Sequence, residues 1–196
     1  SSDLSDLRGY TRITDNAAPE QIIPLLNDYA EATISSIHEV GGDVLKLIGD
    51  GTLAIFDASD PAEGCRSALL AKDLAKERIQ AVSARRAEAG LPVTQAYLGL
   101  HVGEVLFGNI GSPDRLDFTV VGPAVNEVAR IAAMCRSVER KLLVSTAFHA
   151  AAAPEAMPVA EADRPLAALL EDGLPLVPRP FDAWAQALGR TPESVL

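Results

Sequence analysis

The chain has 196 residues, of which 48% are hydrophobic and 22% charged, and this balance is typical of a globular domain with one full core. Its net charge of −10 disfavours nucleic acid as a partner, because phosphate backbones bind clustered Lys and Arg, although a single bound nucleotide remains compatible with it. No apolar run reaches 18 residues and the first residues lack the regions of a signal peptide, so we expect neither a membrane span nor a leader.

The cysteine content bears on location. Two cysteines, Cys65 and Cys135, provide no disulfide framework, and we expect both to be ordinary helix residues. This use of cysteine suits a reducing compartment. We therefore expect a cytoplasmic protein, or the cytosolic part of a larger or membrane-attached one.

The first predicted elements are a short strand over residues 4–7, a turn over 8–11 and a long helix over 19–40. Apolar residues recur at helical spacing through 22–40, Asp15 or Asn16 is a candidate cap, and two glycines end the helix. A strand, a turn and an early helix can direct backbone N–H groups at an anion. The turn residues Gly9, Tyr10 and Thr11 are therefore a candidate phosphate cradle.

Residues 40–56 have the pattern of two apolar strands joined by a tight turn. Leu45 and Leu47, then Leu53 and Ile55, alternate with other residues as in a half-buried hairpin, and the turn is Gly-Asp-Gly. Asp50 should stand at the tip, where a fixed carboxylate is well placed to hold a metal. From these residues alone, the alternative that Asp50 is only a turn former stays open.

The rest of the chain alternates between strands and helices. We predict a helix over 61–88 capped by Asp60, strands over 93–102, 105–110 and 117–122, and a helix over 123–136. In the last helix Asn126 and Arg130 share a face, and the inward residues are expected to be Val125, Val128, Ala129, Ala132 and Ala133. A strand over 142–145 and a short helix over 146–153 follow. The extension from about 151 is expected to be irregular, with a last edge strand over 181–185.

These elements predict one α+β domain over 1–196, with its core at about 4–150. We expect one mainly antiparallel sheet with helices packed on one face. His101 is expected to pack within a strand rather than to bind a ligand.

Four stretches together resemble the class III adenylate/guanylate cyclase catalytic domain, in the same order and at similar separations. They are LSDLRGYT at 4–11, KLIGDG at 46–51, GLHVGEV at 99–105, and DFTVVGPAVNEVAR at 117–130. The resemblance implies a ferredoxin-like, palm-type sheet with helices packed on it, which is the nucleotide cyclase fold. It also implies conversion of ATP to 3′,5′-cyclic AMP and pyrophosphate, a lyase reaction.

The resemblance assigns the metal ligands and the assembly. Asp6 and Asp50 match the two metal-binding aspartates, and the backbone carbonyl of Leu7 would complete one metal shell. Two Mg²⁺ or Mn²⁺ ions per site are implied, which suits carboxylates combined with phosphate oxygens. The family builds each site between two subunits arranged head to tail, so a homodimer with two equivalent sites is implied.

The resemblance also assigns the nucleotide contacts. Lys46 and Thr119 match the pair that reads the purine, while Asn126 and Arg130 match the pair that orients the ribose and stabilises the transition state. Lys46 can only donate and suits adenine N1, and the Thr119 hydroxyl can accept from N6, so ATP is favoured. Adenylate-forming relatives commonly have Asp where Thr119 stands, and a hydroxyl can also donate, so guanylate cyclase activity stays open.

Simpler interpretations of the same residues stand beside these assignments. Lys46 could be a surface lysine, Asn126 and Arg130 a solvated helix face, and Thr119 only a good strand former. A non-catalytic nucleotide-binding or dimerisation module is therefore a further alternative. Many relatives carry a basic residue near the C-terminus that meets the triphosphate. Here residues 170–173 contain two acids, Arg179 is a possible substitute, and a regulatory or sensor region is expected to be missing.

Overall fold

The computed structural model describes residues 2–57, 59–112, 115–138 and 140–152, with the backbone alone at 2–3, 107 and 115–119. The first half contains a strand, two helices, a hairpin and a long helix: β1 Ser2–Leu7, α1 Tyr10–Asn16, α2 Pro19–Glu39, β2 Asp43–Ile48, β3 Gly51–Ile55 and α3 Pro61–Glu88. The second half contains β4 Ala96–His101, β5 Leu106–Ser112, β6 Arg115–Val121, α4 Pro123–Ser137, β7 Leu142–Val144 and α5 Thr146–Ala151. The predicted α+β class is confirmed. The predictions for the C-terminal extension, including the edge strand over 181–185 and Arg179, lie outside the described residues.

Within the described part of the chain, the main sheet has five strands in the order β2-β3-β1-β4-β7. Every pair is antiparallel except β4–β7, which is parallel. The strands β5 and β6 form a separate antiparallel hairpin rather than part of the main sheet. The expectation of a mainly antiparallel sheet is thus confirmed, with one hairpin standing apart from it.

Helices cover both faces of the main sheet, so the expectation of helices on one face is wrong. Neighbouring residues of β3 show this, because side chains alternate along a strand. Ala54 packs in a cluster with residues of α2, α3 and α5, whereas Leu53 packs with Val128 of α4. The two faces therefore carry different helices, with α2 and α3 on one and α4 on the other.

The turn predicted over residues 8–11 is confirmed at Arg8 and Gly9 and wrong at Tyr10 and Thr11, because a seven-residue helix, α1, begins at Tyr10. Gly9 precedes this helix with φ +67°, a conformation that glycine adopts without strain. The expected caps of α2, Asp15 and Asn16, lie inside α1, and Ala18 is the residue before α2. The sequence missed α1 because so short a helix has little periodicity to detect.

The hairpin of β2 and β3 is where the sequence predicts it, but the burial of its side chains differs. All of β3 is buried, while Leu47 is 55% exposed although the alternation placed it inward. The register between the two strands shifts between Val44 and Lys46, which interrupts the alternation in β2. A bulge of this kind leaves no signal in a pattern of apolar residues.

The face that α4 buries also differs in part from the prediction. Val128 and Ala132 are buried as expected, whereas Ala129 and Ala133 are exposed. The buried residues follow the spacing of a helix face: Ala124, Val128, Ile131, Ala132 and Cys135. Asp60 caps α3 as predicted, since its Oδ1 accepts a hydrogen bond from the Ala62 N–H at 2.9 Å.

Candidate active site

Asp50 lies in the turn between β2 and β3 and is tied to the end of β1. Gly49 begins this turn with φ +61°, and Ile48 pairs with Gly51 across it. The Leu7 N–H donates a hydrogen bond to Asp50 Oδ2 at 3.1 Å. The carboxylate is therefore held against the strand that carries Asp6, and it is not merely a solvated turn residue.

Gly51 allows this approach. A Cβ atom at this position would lie 2.3 Å from the backbone oxygen of Ser5, which is far inside van der Waals contact. Ser5 pairs with Thr52 in the sheet, so the start of β3 runs directly beside the end of β1. Only glycine fits at this position, and its absent side chain brings the Asp50 turn up to β1.

Asp6 points to the opposite side of β1 from Leu7. Leu4, two residues earlier on the same face, packs in the cluster that contains Val128 of α4. The Asp6 side chain is 14% exposed, and its Oδ2 accepts a hydrogen bond from Nη2 of Arg136 in the last turn of α4. Asp6 is thus a mostly buried carboxylate with one cationic partner.

Asp6 and Asp50 lie at the ends of neighbouring antiparallel strands. The last pair of this ladder is Ser5 with Thr52, so the next residues along, Asp6 and Gly51, are opposite each other. The donors predicted from the sequence are these two carboxylates and the Leu7 carbonyl, and their joint role stays a prediction. Hard oxygen ligands of this kind fit Mg²⁺, which is bound by one or two carboxylates together with substrate phosphates.

No group of three or more His, Cys, Asp or Glu side chains gathers among the described residues. A self-sufficient protein cage for a metal is therefore not built from the part of the chain that the structure describes. A recess of about 160 Å³, lined in part by Leu7, Gly49 and Asp50, opens beside the hairpin turn, and Asp6, on the other face of β1, is not among its lining residues. Substrate oxygens would have to complete any coordination shell at this edge.

Asn126 and Arg130 lie on an exposed face of α4, one helical turn apart. The Arg130 side chain is 67% exposed, and its Nη2 donates to Glu127 Oε2 at 2.5 Å. The helix packs directly on β4 at Gly99, where a Cβ would lie 2.8 Å from the backbone N of Ala132. The absence of a side chain at Gly99 fixes the position of this helix on the sheet.

Lys46 and Thr119 lie on strands that pack together. Lys46 is exposed on β2, and its neighbour Leu45 packs in the same cluster as Val120, which follows Thr119. The backbone of Thr119 pairs with Gly108, while the Thr119 side chain lies outside what the structure describes. The two residues assigned to the purine are therefore on strands of different sheets that pack against each other, and their joint role stays a prediction.

The segment assigned to phosphate contains the start of α1. Gly9 precedes this helix and Tyr10 and Thr11 are its first residues. A helix of seven residues contributes little dipole of its own, so the phosphate role of this segment rests on the sequence resemblance. It stays a prediction.

Arg136 is the residue at this site that sequence reasoning missed. It is six residues after Arg130, outside the four cyclase-like stretches, and a basic residue near a helix C-terminus has an ordinary explanation in the helix dipole. Its contact with Asp6 spans 130 residues of sequence. No local pattern could have found this pairing.

The remaining residues singled out in the sequence are packing residues. His101 Nδ1 is 2.8 Å from Ser145 Oγ, and burial lowers the pKa of its imidazole, with Glu127 opposing that shift. Cys65 and Cys135 are buried in α3 and α4, and burial raises the pKa of the Cys135 thiol to about 11. All three thus lie in strands or helices, as predicted.

Comparison with known proteins shows the family. The profile of the family described as "Adenylate and Guanylate cyclase catalytic domain" matches residues 4–163. The chain therefore belongs to the class III cyclase catalytic-domain family, and the resemblance seen in the sequence is confirmed.

Individual relatives agree with this assignment. The chain is 32% identical over 140 residues to "Adenylate cyclase" of Anabaena cylindrica, an alignment that covers 71% of this chain and 28% of that protein. Among solved structures, the guanylyl cyclase Cya2 has a TM-score of 0.68 and 28% identity, covering 78% of this chain and 77% of that one. The adenylyl cyclase CyaB from P. aeruginosa has a TM-score of 0.71 and covers 80% of each chain at 20% identity, which supports the fold.

The chain spans little more than a quarter of the length of the curated relatives it matches. Across the described residues, each helix is either too short or too polar to span a lipid bilayer.

Proposed function

We propose that this domain is an adenylate cyclase that converts ATP to 3′,5′-cyclic AMP and pyrophosphate. The observation that carries the proposal is the hydrogen bond from the Leu7 N–H to Asp50, which brings the Asp50 turn to the strand that carries Asp6. These two carboxylates stand at the ends of adjacent strands, and we propose that both hold the metal that assists phosphoryl chemistry. Family membership supports the reaction class, and the base preference of Lys46 supports ATP.

The chemistry follows from the residue types. Asp6, Asp50 and the Leu7 carbonyl would hold Mg²⁺ or Mn²⁺, which supplies charge neutralisation on the phosphates and a lowered pKa of the ribose hydroxyl. The 3′-oxygen attacks the α-phosphorus, the new O–P bond forms as the bond to pyrophosphate breaks, and the hydroxyl proton leaves to solvent.

Arg130 and Asn126 act on the reacting groups in this proposal. Arg130 is permanently charged and forked, so it suits the negative charge that develops on the phosphoryl oxygens, and Asn126 orients the ribose. Both side chains are exposed on α4, and Arg130 makes a local ion pair with Glu127. Both are therefore available to a nucleotide that binds against this helix.

A head-to-tail homodimer is part of the proposal. Large apolar side chains stand exposed on both hairpins of each protomer: Leu47 55%, Ile48 50%, Leu106 70%, Ile110 54% and Val121 43%. These side chains flank the strands that carry Lys46 and Thr119. Burial of this hairpin surface against a second copy would place the base-reading strands of one protomer against the carboxylates of its partner.

Guanylate cyclase activity is the second candidate, because the guanylyl cyclase Cya2 is among the similar structures at 28% identity. Lys46 argues for adenine, since an ammonium only donates and adenine N1 accepts, whereas guanine N1 donates. Parallel assays with Mn-ATP and Mn-GTP distinguish the two. We also propose a cytoplasmic module joined to a regulatory region, with nucleotide and not nucleic acid as its partner.

A complementation assay tests the proposal. Asp50→Ala and Lys46→Ala should each abolish cyclic AMP formation, and an equimolar mixture of the two should recover about a quarter of wild-type activity, since half of the dimers carry one intact site of two. A mixture of Asp50→Ala with Asp6→Ala is the matched control and should recover none. Wild-type protein that makes no cyclic AMP at any protein concentration would falsify the proposal.

A further inference from the structure

A large cavity lies apart from the proposed cyclase residues Asp6, Asp50, Asn126 and Arg130. It has a volume of about 780 Å³ and lies between α3 and the main sheet, with Ser5 and Leu98 of the sheet among the residues that line it. This volume falls within the range of pockets that hold small organic ligands. The cyclase reaction proposed above gives this space no role.

The cavity lies on the opposite face of the sheet from Asp6. Ser5 and Asp6 are consecutive residues of β1 and therefore point to opposite faces. On β4 the same alternation separates Leu98, which lines the cavity, from Gly99, which contacts α4. The cavity shares Ser5, Thr33 and Ala96 with the recess beside Asp50, and Gly9 of the proposed phosphate segment also borders it.

The charges around the cavity are all of one sign among the described residues. Five lining residues are basic and none is acidic, although the chain carries 27 acids and 17 bases. Three of the four lysines in the whole sequence are among them. The basic residues are Arg8, Arg12, Lys72, Lys76 and Lys141.

These cations lie toward the solvent end of the cavity. Arg8, Arg12, Lys76 and Lys141 are exposed, and Lys72 is partly buried with Asp73 at 2.7 Å. Asp73 does not line the cavity, and a solvated pair of this kind offsets little of the field that a ligand would meet. The entrance therefore favours a negatively charged group.

The deep wall of the cavity is apolar. Ile37 and Ala71 are 2% exposed and Ile79 is 8% exposed. The hydroxyls nearby are already used within the protein, since Thr33 Oγ1 donates to the Tyr29 backbone oxygen at 3.0 Å. Hydroxyls satisfied in this way offer a ligand little hydrogen bonding, so the deep wall favours hydrocarbon.

We propose that this cavity binds an amphipathic organic anion, with an apolar body against the wall of α3 and a carboxylate or phosphate head among the basic residues. The argument rests on cavity size, on the single sign of charge at its entrance and on its apolar interior. Gly9 belongs to the proposed phosphate segment and also borders this cavity. Such a ligand would therefore act beside the nucleotide site without occupying it.

Calorimetric titration of the wild-type protein with dodecanoate, without metal or nucleotide, tests the proposal directly. Saturable binding of one dodecanoate per chain is expected, at least about tenfold tighter than dodecanol, because an ionised group adds on the order of 1.5–3 kcal/mol of hydrogen bonding. Dodecyltrimethylammonium, which has the same chain and the opposite charge, should not bind. The Asp50→Ala variant should bind dodecanoate normally, so failure of the cyclase proposal leaves this test intact.

Paired variants locate the site. Lys72→Ala/Lys76→Ala should weaken dodecanoate binding at least about tenfold. Arg66→Ala/Arg85→Ala is the matched control, since it removes two exposed charges from the same helix without touching the cavity lining, and should change binding less than twofold or so. Ala75→Trp, which fills the cavity, should abolish binding, with thermal melting used to show that it folds.

Several results would overturn the proposal. Equal affinity for dodecanoate and dodecanol would show that charge has no role, and equal losses in the two double variants would place the anion elsewhere. Undetectable dodecanoate binding to the wild-type protein would remove the site altogether. Binding that survives Ala75→Trp in a folded protein would show that the apolar body lies outside this cavity.

Discussion

Arg136 is the side chain that forms an ion pair with the Asp6 carboxylate. A guanidinium on a carboxylate and a divalent cation on the same carboxylate compete for the same oxygens. Because Asp6 is 14% exposed and Arg136 is 57% exposed, the arginine can swing into solvent while the carboxylate stays in place. Metal binding at Asp6 is therefore expected to displace Arg136.

This competition gives a prediction for metal affinity. Arg136→Ala should increase the affinity of the nucleotide-free protein for Mn²⁺ about three- to tenfold, because a competing ion pair is removed. Electron paramagnetic resonance of the free Mn²⁺ ion measures this affinity and does not depend on catalysis. Arg140→Ala, which removes a cation just beyond the end of α4, is the control. An unchanged Mn²⁺ affinity in Arg136→Ala would show that the arginine does not compete with metal at Asp6.

His101 gives a prediction for acid stability. Burial lowers the pKa of its imidazole in the folded protein below the ordinary value of 6.5, against the weaker opposing effect of Glu127. As pH falls through about 6.5, the unfolded chain takes up a proton that the folded chain resists, so the free energy of unfolding decreases. His101→Gln should lose less stability than wild type between pH 7.5 and about 5.5 in urea titrations. An equal loss of stability in the wild type and in His101→Gln over this pH range would contradict this role of His101.

At the scale of elements, the hairpin of β2 and β3 shows what the sequence could and could not predict. The turn at Gly49–Asp50 followed from its glycines, and both strands followed from their apolar residues. The exposure of Leu47 did not follow, because the register shift before Lys46 depends on how β2 meets β3. A bulge arises from the pairing of two strands, so the sequence of either strand alone does not predict it.

Gly51 gives a prediction at this scale. Gly51→Ala should separate the Asp50 turn from β1, because a Cβ there meets the Ser5 backbone oxygen, which cannot move as a side chain can. We expect a loss of about 2–4 kcal/mol in stability, in the range of severe steric substitutions, together with loss of cyclic AMP formation. Urea unfolding measures the first effect. Gly41→Ala is the control in which a new Cβ meets nothing, although its φ of +78° costs about 1 kcal/mol. Equal destabilisation by the two substitutions would argue against the contact with Ser5.

The helix α4 shows a second limit of sequence reasoning. Asn126 and Arg130 were placed on one face by their spacing, and both are exposed as that requires. The sequence predicted that Ala129 and Ala133 face inward, whereas Ile131 and Cys135 are the residues that are buried. The prediction failed because this helix carries small and large apolar residues on nearly every side. The contact with Gly99 sets its rotation, and that contact joins residues distant in sequence.

At the scale of the whole molecule, the exposed hairpins predict association. Leu106, which is 70% exposed on β5, should be buried between protomers. Leu106→Asp should shift the protein toward monomer and lower activity per mole at least about tenfold, since a buried unpaired charge costs several kcal/mol. Sedimentation across protein concentrations measures the shift. Leu70→Asp, which alters an equally apolar but distant site on α3, is the control and should leave association unchanged. Dimers that persist in Leu106→Asp would place the interface elsewhere.

The fold class could be predicted because four motifs keep their order and separation along the chain. The large cavity behind α3 could not, because it depends on the distance between a helix and a sheet, which no sequence pattern encodes. The same is true of the pairing of Arg136 with Asp6.

The helix α4 packs unusually close to the sheet at Gly99. At Gly99 the helix backbone approaches the strand backbone directly, which limits sliding of the helix along the sheet. In the proposed dimer, each protomer would then carry Asp6, Asp50 and Arg130 as parts of a single stiff body. Regulation of the proposed shared site would have to come from a change of angle between two such bodies, so a signal that sets turnover would need to twist one protomer against the other.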